Sequence, residues 1–131
     1  MTTTAAAEGT RRHTGTYPAQ PAQVRHARAA LAGWLEDYPR ADEAVLIASE
    51  LAANSVLHSA SRDDGTFTLR AEFDQARLRI EVEDAGGPWR DGPRDDDRPH
   101  GFDVVTAIAG PGNWGIAGNA RGRVAWATLG G

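Results

Sequence analysis

The sequence predicts an α+β fold of two layers, in which helices cover one face of a mixed, mainly antiparallel sheet. Two segments in the first half place apolar residues at helical spacing, whereas later segments alternate apolar and polar residues. Because helical and strand-like segments occur in separate blocks, the strands are expected to pair mainly as antiparallel hairpins. A chain of 131 residues has room for one such domain with one hydrophobic core.

The first half of the chain is expected to contain a disordered leader, a short strand and two helices. Residues 1–12 are small, polar and then basic, so the folded domain is predicted to span residues 13–131. Residues 13–17 are compatible with a short edge strand, and the apolar spacing predicts a helix over residues 22–36. A second helix is predicted over residues 41–59, and it should be buried on more than one side because it is apolar nearly all round.

The second half is expected to supply two hairpins, a long loop and a short helix. Residues 66–73 and 77–83 alternate around a three-residue connection, which predicts an antiparallel hairpin. Residues 85–99 form an irregular stretch, and a loop of that length is usually functional or mobile. A short helix is predicted over residues 101–109, followed by a closing hairpin within residues 114–129. The core is expected to include three tryptophans, Trp34, Trp114 and Trp126.

Composition excludes several classes of function. The chain has no cysteine and no lysine, since all 14 basic residues are arginine. Disulfides, thiolate metal sites, Schiff bases and the lysine of P-loop nucleotide sites are therefore excluded. The formal net charge of −4 argues against a nucleic-acid-binding surface. No apolar run approaches the length of a membrane span, so we expect a cytoplasmic protein.

Two polar residues interrupt the apolar surface of the second predicted helix. Glu50 and Asn54 lie four residues apart and therefore share one face, and His58 continues the same stripe. A carboxylate and an amide among apolar neighbours are costly unless a partner satisfies them. Taken alone, the pair is equally consistent with two exposed side chains, and His58 with an ordinary residue at the end of a helix.

A carboxylate also stands at the end of a predicted strand. Asp84 follows a run of alternating apolar residues and precedes two glycines, so the strand delivers its side chain to the rim of the sheet. Gly86 would let the backbone approach a flat ligand closely. Gly101 opens the next helix, whose free N–H groups could receive phosphate oxygens. Separately, these features are also explained by an Asp-Gly turn and a plain helix start.

In this order and spacing the segments resemble those of one superfamily. Residues 50–58 (ELAANSVLH) resemble the N box of the GHKL, or Bergerat-fold, ATPases and kinases. Residues 84–88 (DAGGP) resemble the first glycine box of that superfamily, and residues 98–105 (RPHGFDVV) stand where the second is expected. The resemblance covers roughly residues 14–129, and it implies the Bergerat fold with ATP and Mg²⁺ as ligands.

The resemblance assigns a role to each motif residue. The amide oxygen of Asn54 would be a ligand of Mg²⁺, which prefers hard oxygen donors. Glu50 would be the general base that takes a proton from a water or a serine hydroxyl near the γ-phosphate. Asp84 would accept a hydrogen bond from the exocyclic amine of adenine, and Gly86 would allow the base to approach.

The remaining site residues follow from the same resemblance. Gly101 would lie at the phosphates, His58 would complete the nucleotide-binding stripe, and residues 89–100 would form a lid over ATP. Arginine would supply the positive charge that lysine cannot, from Arg94 or Arg98.

The length of the chain is similar to that of the free-standing anti-sigma-factor serine/threonine kinases. That likeness implies a protein partner, either a sigma factor or an antagonist protein phosphorylated on serine or threonine, and is compatible with a homodimer. Two positions differ from the usual pattern: Asp103 falls in the first turn of the phosphate-facing helix, and Arg123 follows Gly122 where a threonine is common. A non-catalytic module of the same fold, which sequesters a protein without phosphoryl transfer, is therefore the alternative.

Overall fold

The computed structural model describes residues 10–58, 65–74, 76–85, 101–119 and 122–130, and these form one sheet and three helices. The elements in chain order are β1 (Arg11–Pro18), α1 (Pro21–Trp34), α2 (Ala41–His58), β2 (Thr66–Phe73), β3 (Arg77–Asp84), α3 (Gly101–Ala109), β4 (Trp114–Asn119) and β5 (Gly122–Gly130).

The five strands follow the order β1-β2-β3-β5-β4, and every neighbouring pair of described strands is antiparallel. The predicted α+β fold with a mainly antiparallel sheet is thus confirmed, and no parallel pair occurs among these strands. Residues alternate between an inner face, which packs against the helices, and an outer face. This alternation decides which residues of β3 and β5 can reach a site beneath the helices.

The core lies between the inner face of the sheet and α2. That helix contacts β2, β3 and β5 as well as α1 and α3, so the expectation that it is buried on several sides is confirmed. Ile47 and Leu51 are completely buried, whereas Leu46 is 45 % exposed on the side away from the sheet. No helix in the described ranges is long and apolar enough to cross a membrane.

Helix α1 begins at Pro21, whose fixed φ suits the first helical position. It ends at Trp34, two residues earlier than the spacing predicted, and Leu35 is buried just beyond its end. The ring of Trp34 stacks on His13 of β1 with centroids 5.2 Å apart, which joins the edge strand to the helical layer. Strand β1 starts at Arg11 and so includes the last two residues of the predicted leader, while residues 1–9 lie outside the described residues.

The turn between β2 and β3 is closed by Asp74. Its carboxylate oxygen Oδ1 accepts hydrogen bonds from the backbone N–H groups of Ala76 and Arg77, at 2.8 and 3.0 Å. Such a side-chain acceptor fixes a tight turn, and it sets the register of the two strands. The register in turn determines that Asp84 ends up on the inner face.

Helix α3 is fastened to the fold at its C-terminal end. Gly110 follows it with φ +97°, a conformation that favours glycine and ends the helix. The Asn113 side chain donates to the carbonyl of Ala109 at 2.9 Å, and Arg40 donates to that of Ile108 at 3.3 Å.

Two further hydrogen bonds extend that attachment. Trp114 Nε1 donates to Thr106 Oγ1 at 2.6 Å, which holds α3 against β4. Arg40 also donates to the carbonyl of Gly130 at 3.3 Å, and so links the loop before α2 to the end of β5.

The outer face of the sheet carries a network of ion pairs. Arg70 bonds Glu81 at 3.0 Å and Glu83 at 2.8 Å, and Arg79 bonds Glu81 at 2.6 Å. The Arg79 guanidinium also stacks over the ring of Trp126, 4.6 Å from its centroid. The prediction that Trp126 lies in the core is therefore wrong, because β5 directs it to the outer face. Trp34 and Trp114 are partly buried and do pack against the core.

Candidate functional site

Helix α2 presents Glu50 and Asn54 at the margin of its buried face. Both are half-buried, and the residue that follows each of them, Leu51 or Ser55, is buried. Within the described part of the chain neither side chain has a hydrogen-bonding partner. A carboxylate and an amide that are half-buried without a partner are suited to bind a ligand rather than to stabilise the helix.

Strand β3 delivers Asp84 to the inner face of the sheet. Its side chain continues the line of Ile80 and Val82, and it is only 8 % exposed. An aspartate in an ordinary exposed turn would be largely solvated, so this burial favours a role inside the fold. Asp84 lies opposite Arg123 of β5 in the register of the two strands.

Helix α3 begins at Gly101, as the sequence predicts. Val105 is completely buried and anchors the helix, which packs against α2, β4 and β5. Asp103, in the first turn, is exposed. Its side chain therefore lies on the solvent side of the helix. There, a carboxylate repels a phosphate at the helix N-terminus less than a buried carboxylate would.

Three contacting elements thus carry the predicted site residues. Helix α2 touches both β3 and α3, which brings the helix of Glu50 and Asn54 next to the strand of Asp84 and the helix of Gly101. His58 is the last residue of α2. Gly86, Arg94, Arg98 and the predicted lid over residues 89–100 lie outside the described residues.

Arg123 is an inward-facing residue that the sequence did not predict. Arg123 is 7 % exposed, and in the described ranges the buried polar side chains are Ser55, Asp84 and Arg123. A signal for it was present, because Ala125, Ala127 and Leu129 are inward and Arg123 shares their parity.

A cavity of about 210 Å³ lies away from these residues, on the side of the sheet formed by β1, β2 and β3. Its lining includes Arg12, Glu72, Arg79 and Glu81, all of which take part in ion pairs on the outer face. We interpret it as a gap between paired charged side chains, and we place the functional site on the helical side of the sheet.

Comparisons with known proteins identify relatives of this architecture. The family model for the histidine kinase-like ATPase domain matches residues 17–118, which include α1, α2, β3 and α3. The crystal structure of the RsbU and RsbW domains of Rv1364c from Mycobacterium tuberculosis superposes with a TM-score of 0.69 at 22 % identity. The match covers 91 % of this chain and 32 % of that one, so this chain spans about a third of its length. The comparison with curated proteins gives no match.

Proposed function

The chain belongs to the histidine kinase-like ATPase domain family, and we propose that it is an ATP-binding regulatory protein of the anti-sigma-factor kinase type. The observation that carries the proposal is the pairing of half-buried Glu50 and Asn54 on α2 with a buried Asp84 on the adjacent strand. An amide oxygen and two carboxylates on contacting elements suit a ligand that offers both a metal ion and a hydrogen-bond donor.

We assign the nucleobase to Asp84 and the phosphates to the side of α2 and α3. The carboxylate of Asp84 accepts a hydrogen bond from the exocyclic amine of adenine. The N-terminus of α3, at Gly101, directs its free N–H groups to phosphate oxygens. Gly86 and His58 complete the site in this proposal, as the sequence resemblance implies.

The donor set fits Mg²⁺ better than a softer metal. Asn54 supplies a hard amide oxygen, and in the described ranges no three His, Asp or Glu side chains gather into a metal cluster. Mg²⁺ commonly binds through one or two protein oxygens, with phosphate and water completing its shell. When bound, the ion would neutralise charge on the phosphates, while Glu50 would accept the proton of the attacking hydroxyl.

The proposed partner is a protein. The similar crystal structure contains an RsbW domain, by its title, and the sequence motifs resemble those of anti-sigma-factor kinases. We propose a sigma factor or its antagonist as the partner, serine or threonine as the phosphoacceptor, and the cytoplasm as the compartment. Homodimerisation is compatible with this proposal.

Calorimetry with Asn54→Ala tests the proposal. The wild-type protein should bind ATP more tightly with Mg²⁺ than without it, and the variant should lose that difference. The control is Gln23→Ala, which removes an amide from α1, an element that carries none of the assigned site residues, and should leave ATP binding unchanged. Mg²⁺-dependent affinity that survives in Asn54→Ala would exclude the assigned metal ligand.

The second candidate is a module that binds nucleotide and sequesters a protein without phosphoryl transfer. The observation that favours it is Asp103: although exposed, this acidic residue in the first turn of α3 still places negative charge near the proposed phosphate end. Transfer of labelled phosphate from ATP to candidate antagonists separates the two. If the protein is a kinase, Glu50→Gln should lower the transfer rate by about 10²–10⁴-fold while ATP still binds. ATP binding without transfer in the wild type would establish the second candidate.

A further inference from the structure

Arg123 is a buried cation at the predicted nucleobase end of the site. Arginine is rarely buried without a partner, and only 7 % of this residue is exposed. It lies on the inner face of β5, directly opposite the equally buried Asp84 in the antiparallel register. Side chains in directly opposed positions have Cβ atoms about 4.5–5.5 Å apart, so both charged groups reach the same space.

The backbone around Arg123 is closely packed. Gly118 of β4 is its partner in the register and has φ +124°, and a Cβ atom there would overlap the carbonyl oxygen of Gly122. A Cβ atom on Gly122 would lie 3.8 Å from the backbone oxygen of Asp84. The backbones of β4 and β5 therefore approach closely beside Arg123, and only a residue without a side chain fits at Gly118.

The two charged groups offer complementary hydrogen bonding. A carboxylate only accepts hydrogen bonds, whereas a guanidinium has five N–H donors and accepts none. A carboxylate alone suits the amine of adenine and repels the oxygen at position 6 of guanine or hypoxanthine. A guanidinium beside it supplies the missing donor, and the pairing of arginine with O6 and N7 is the commonest specific contact to guanine.

Resting on the proposed function, we propose that Arg123 is a specificity-determining residue that lets this site accept 6-oxopurine nucleotides alongside adenine nucleotides. Arg123 donates to O6 of the base, and Asp84 accepts from N1–H. With guanine, Asp84 also accepts from the amine at position 2. With adenine, Asp84 accepts from the amine at position 6. Without the arginine, O6 would be buried without a donor, and the arginine removes that penalty against 6-oxopurines.

Affinities for ADP, GDP and IDP, each with Mg²⁺, test the proposal in the wild type, Arg123→Thr and Arg123→Lys. In the wild type the dissociation constants for GDP and IDP should lie within about tenfold of that for ADP. Arg123→Thr should raise the GDP/ADP and IDP/ADP ratios of dissociation constants by about tenfold or more, because O6 is then buried without the guanidinium donor. Arg123→Lys keeps a cation and should give intermediate ratios. IDP lacks the amine at position 2, so a change in its ratio cannot come from that amine.

The ratios of dissociation constants are insensitive to a partly unfolded sample, because unfolded protein lowers the apparent affinity for all three nucleotides equally. The control is Arg77→Thr, which removes an exposed arginine from β3 and should leave both ratios unchanged. Tight ADP binding with GDP and IDP more than about a hundredfold weaker in the wild type would overturn the proposal and leave the proposed function intact. Ratios that do not change in Arg123→Thr would also overturn it. Failure of all three nucleotides to bind would instead reject nucleotide binding itself.

Discussion

Glu81 shows how one residue on the outer face responds to its partners. Burial raises the pKa of its carboxyl group, but hydrogen bonds from Arg79 and Arg70 outweigh that effect and leave the pKa below its usual value of 4.5. A carboxyl group whose pKa is lowered by folding stabilises the native state above its unfolded pKa. That contribution is lost as the pH falls below about 4.5 and through the folded pKa.

Glu81→Gln should therefore lower the free energy of unfolding at pH 7 by about 0.5–1 kcal/mol, the range for partly exposed ion pairs. At pH 3 the difference between the variant and the wild type should be smaller, because a larger fraction of the wild-type carboxyl group is then protonated. Urea unfolding at the two pH values measures both differences. The matched control is Glu72→Gln, whose partner Arg12 is 77 % exposed, and it should have a smaller effect at pH 7. A Glu81→Gln effect that is as large at pH 3 as at pH 7 would show that packing, rather than charge, is involved.

At this scale the sequence predicts part of the candidate site but does not point to Arg123. Glu50, Asn54 and Asp84 could be identified because each interrupts a regular apolar pattern at a fixed spacing. Arg123 was missed because both faces of β5 are largely apolar: Val124 and Trp126 alternate with inward alanines. Local alternation in such a strand does not reveal which face is buried, and the register with β3 decides it.

At the scale of single elements, the type of every described helix and strand was predictable, whereas their ends were not. Strand β1 extends over eight residues because β2, its neighbour, offers eight positions from Thr66 to Phe73. The sequence of β1 alone contains no such information. Helix α1 ends at Trp34 because the chain turns there to bury Leu35 and Tyr38, which is a requirement of the tertiary packing.

Two leucines on the helices give a matched test of the packing. Leu31 of α1 is completely buried, whereas Leu46 of α2 is 45 % exposed. Leu31→Ala should lower the free energy of unfolding by about 2–5 kcal/mol, because it leaves a cavity in the core. Leu46→Ala should change it by less than about 0.5 kcal/mol. Equal losses in urea unfolding would contradict the packing described here, since the two substitutions delete the same atoms.

The whole molecule combines one core with a site at the margin of that core. The sheet, α1 and α2 share a continuous set of buried residues, whereas Glu50 and Asn54 lie at its edge. A ligand that bridges α2, β3 and α3 would therefore stabilise the entire domain, since these elements belong to one cooperative unit.

Mg²⁺ and ATP should raise the midpoint of thermal unfolding together. At a ligand concentration of 100 times the dissociation constant the stabilisation is about 2.7 kcal/mol, which corresponds to a shift of several degrees. Thermal unfolding followed by circular dichroism measures it, and ATP with a chelator should give a smaller shift. Asn54→Ala should lose the Mg²⁺-dependent part, whereas Gln23→Ala should retain it. An unchanged midpoint in the wild type at millimolar ATP would contradict binding in this range.

The attachment of α3 by its C-terminal end has a mechanical consequence. The helix is about 13 Å long at 1.5 Å per residue, and hydrogen bonds from Arg40 and Asn113 fix its C-terminal end at Ile108 and Ala109. A tilt of the helix therefore moves Asp103, near the predicted phosphate end, much farther than Ile108. Because Arg40 donates to the carbonyls of both Ile108 and Gly130, its guanidinium adds a second link between α3 and the last strand, beside their direct packing.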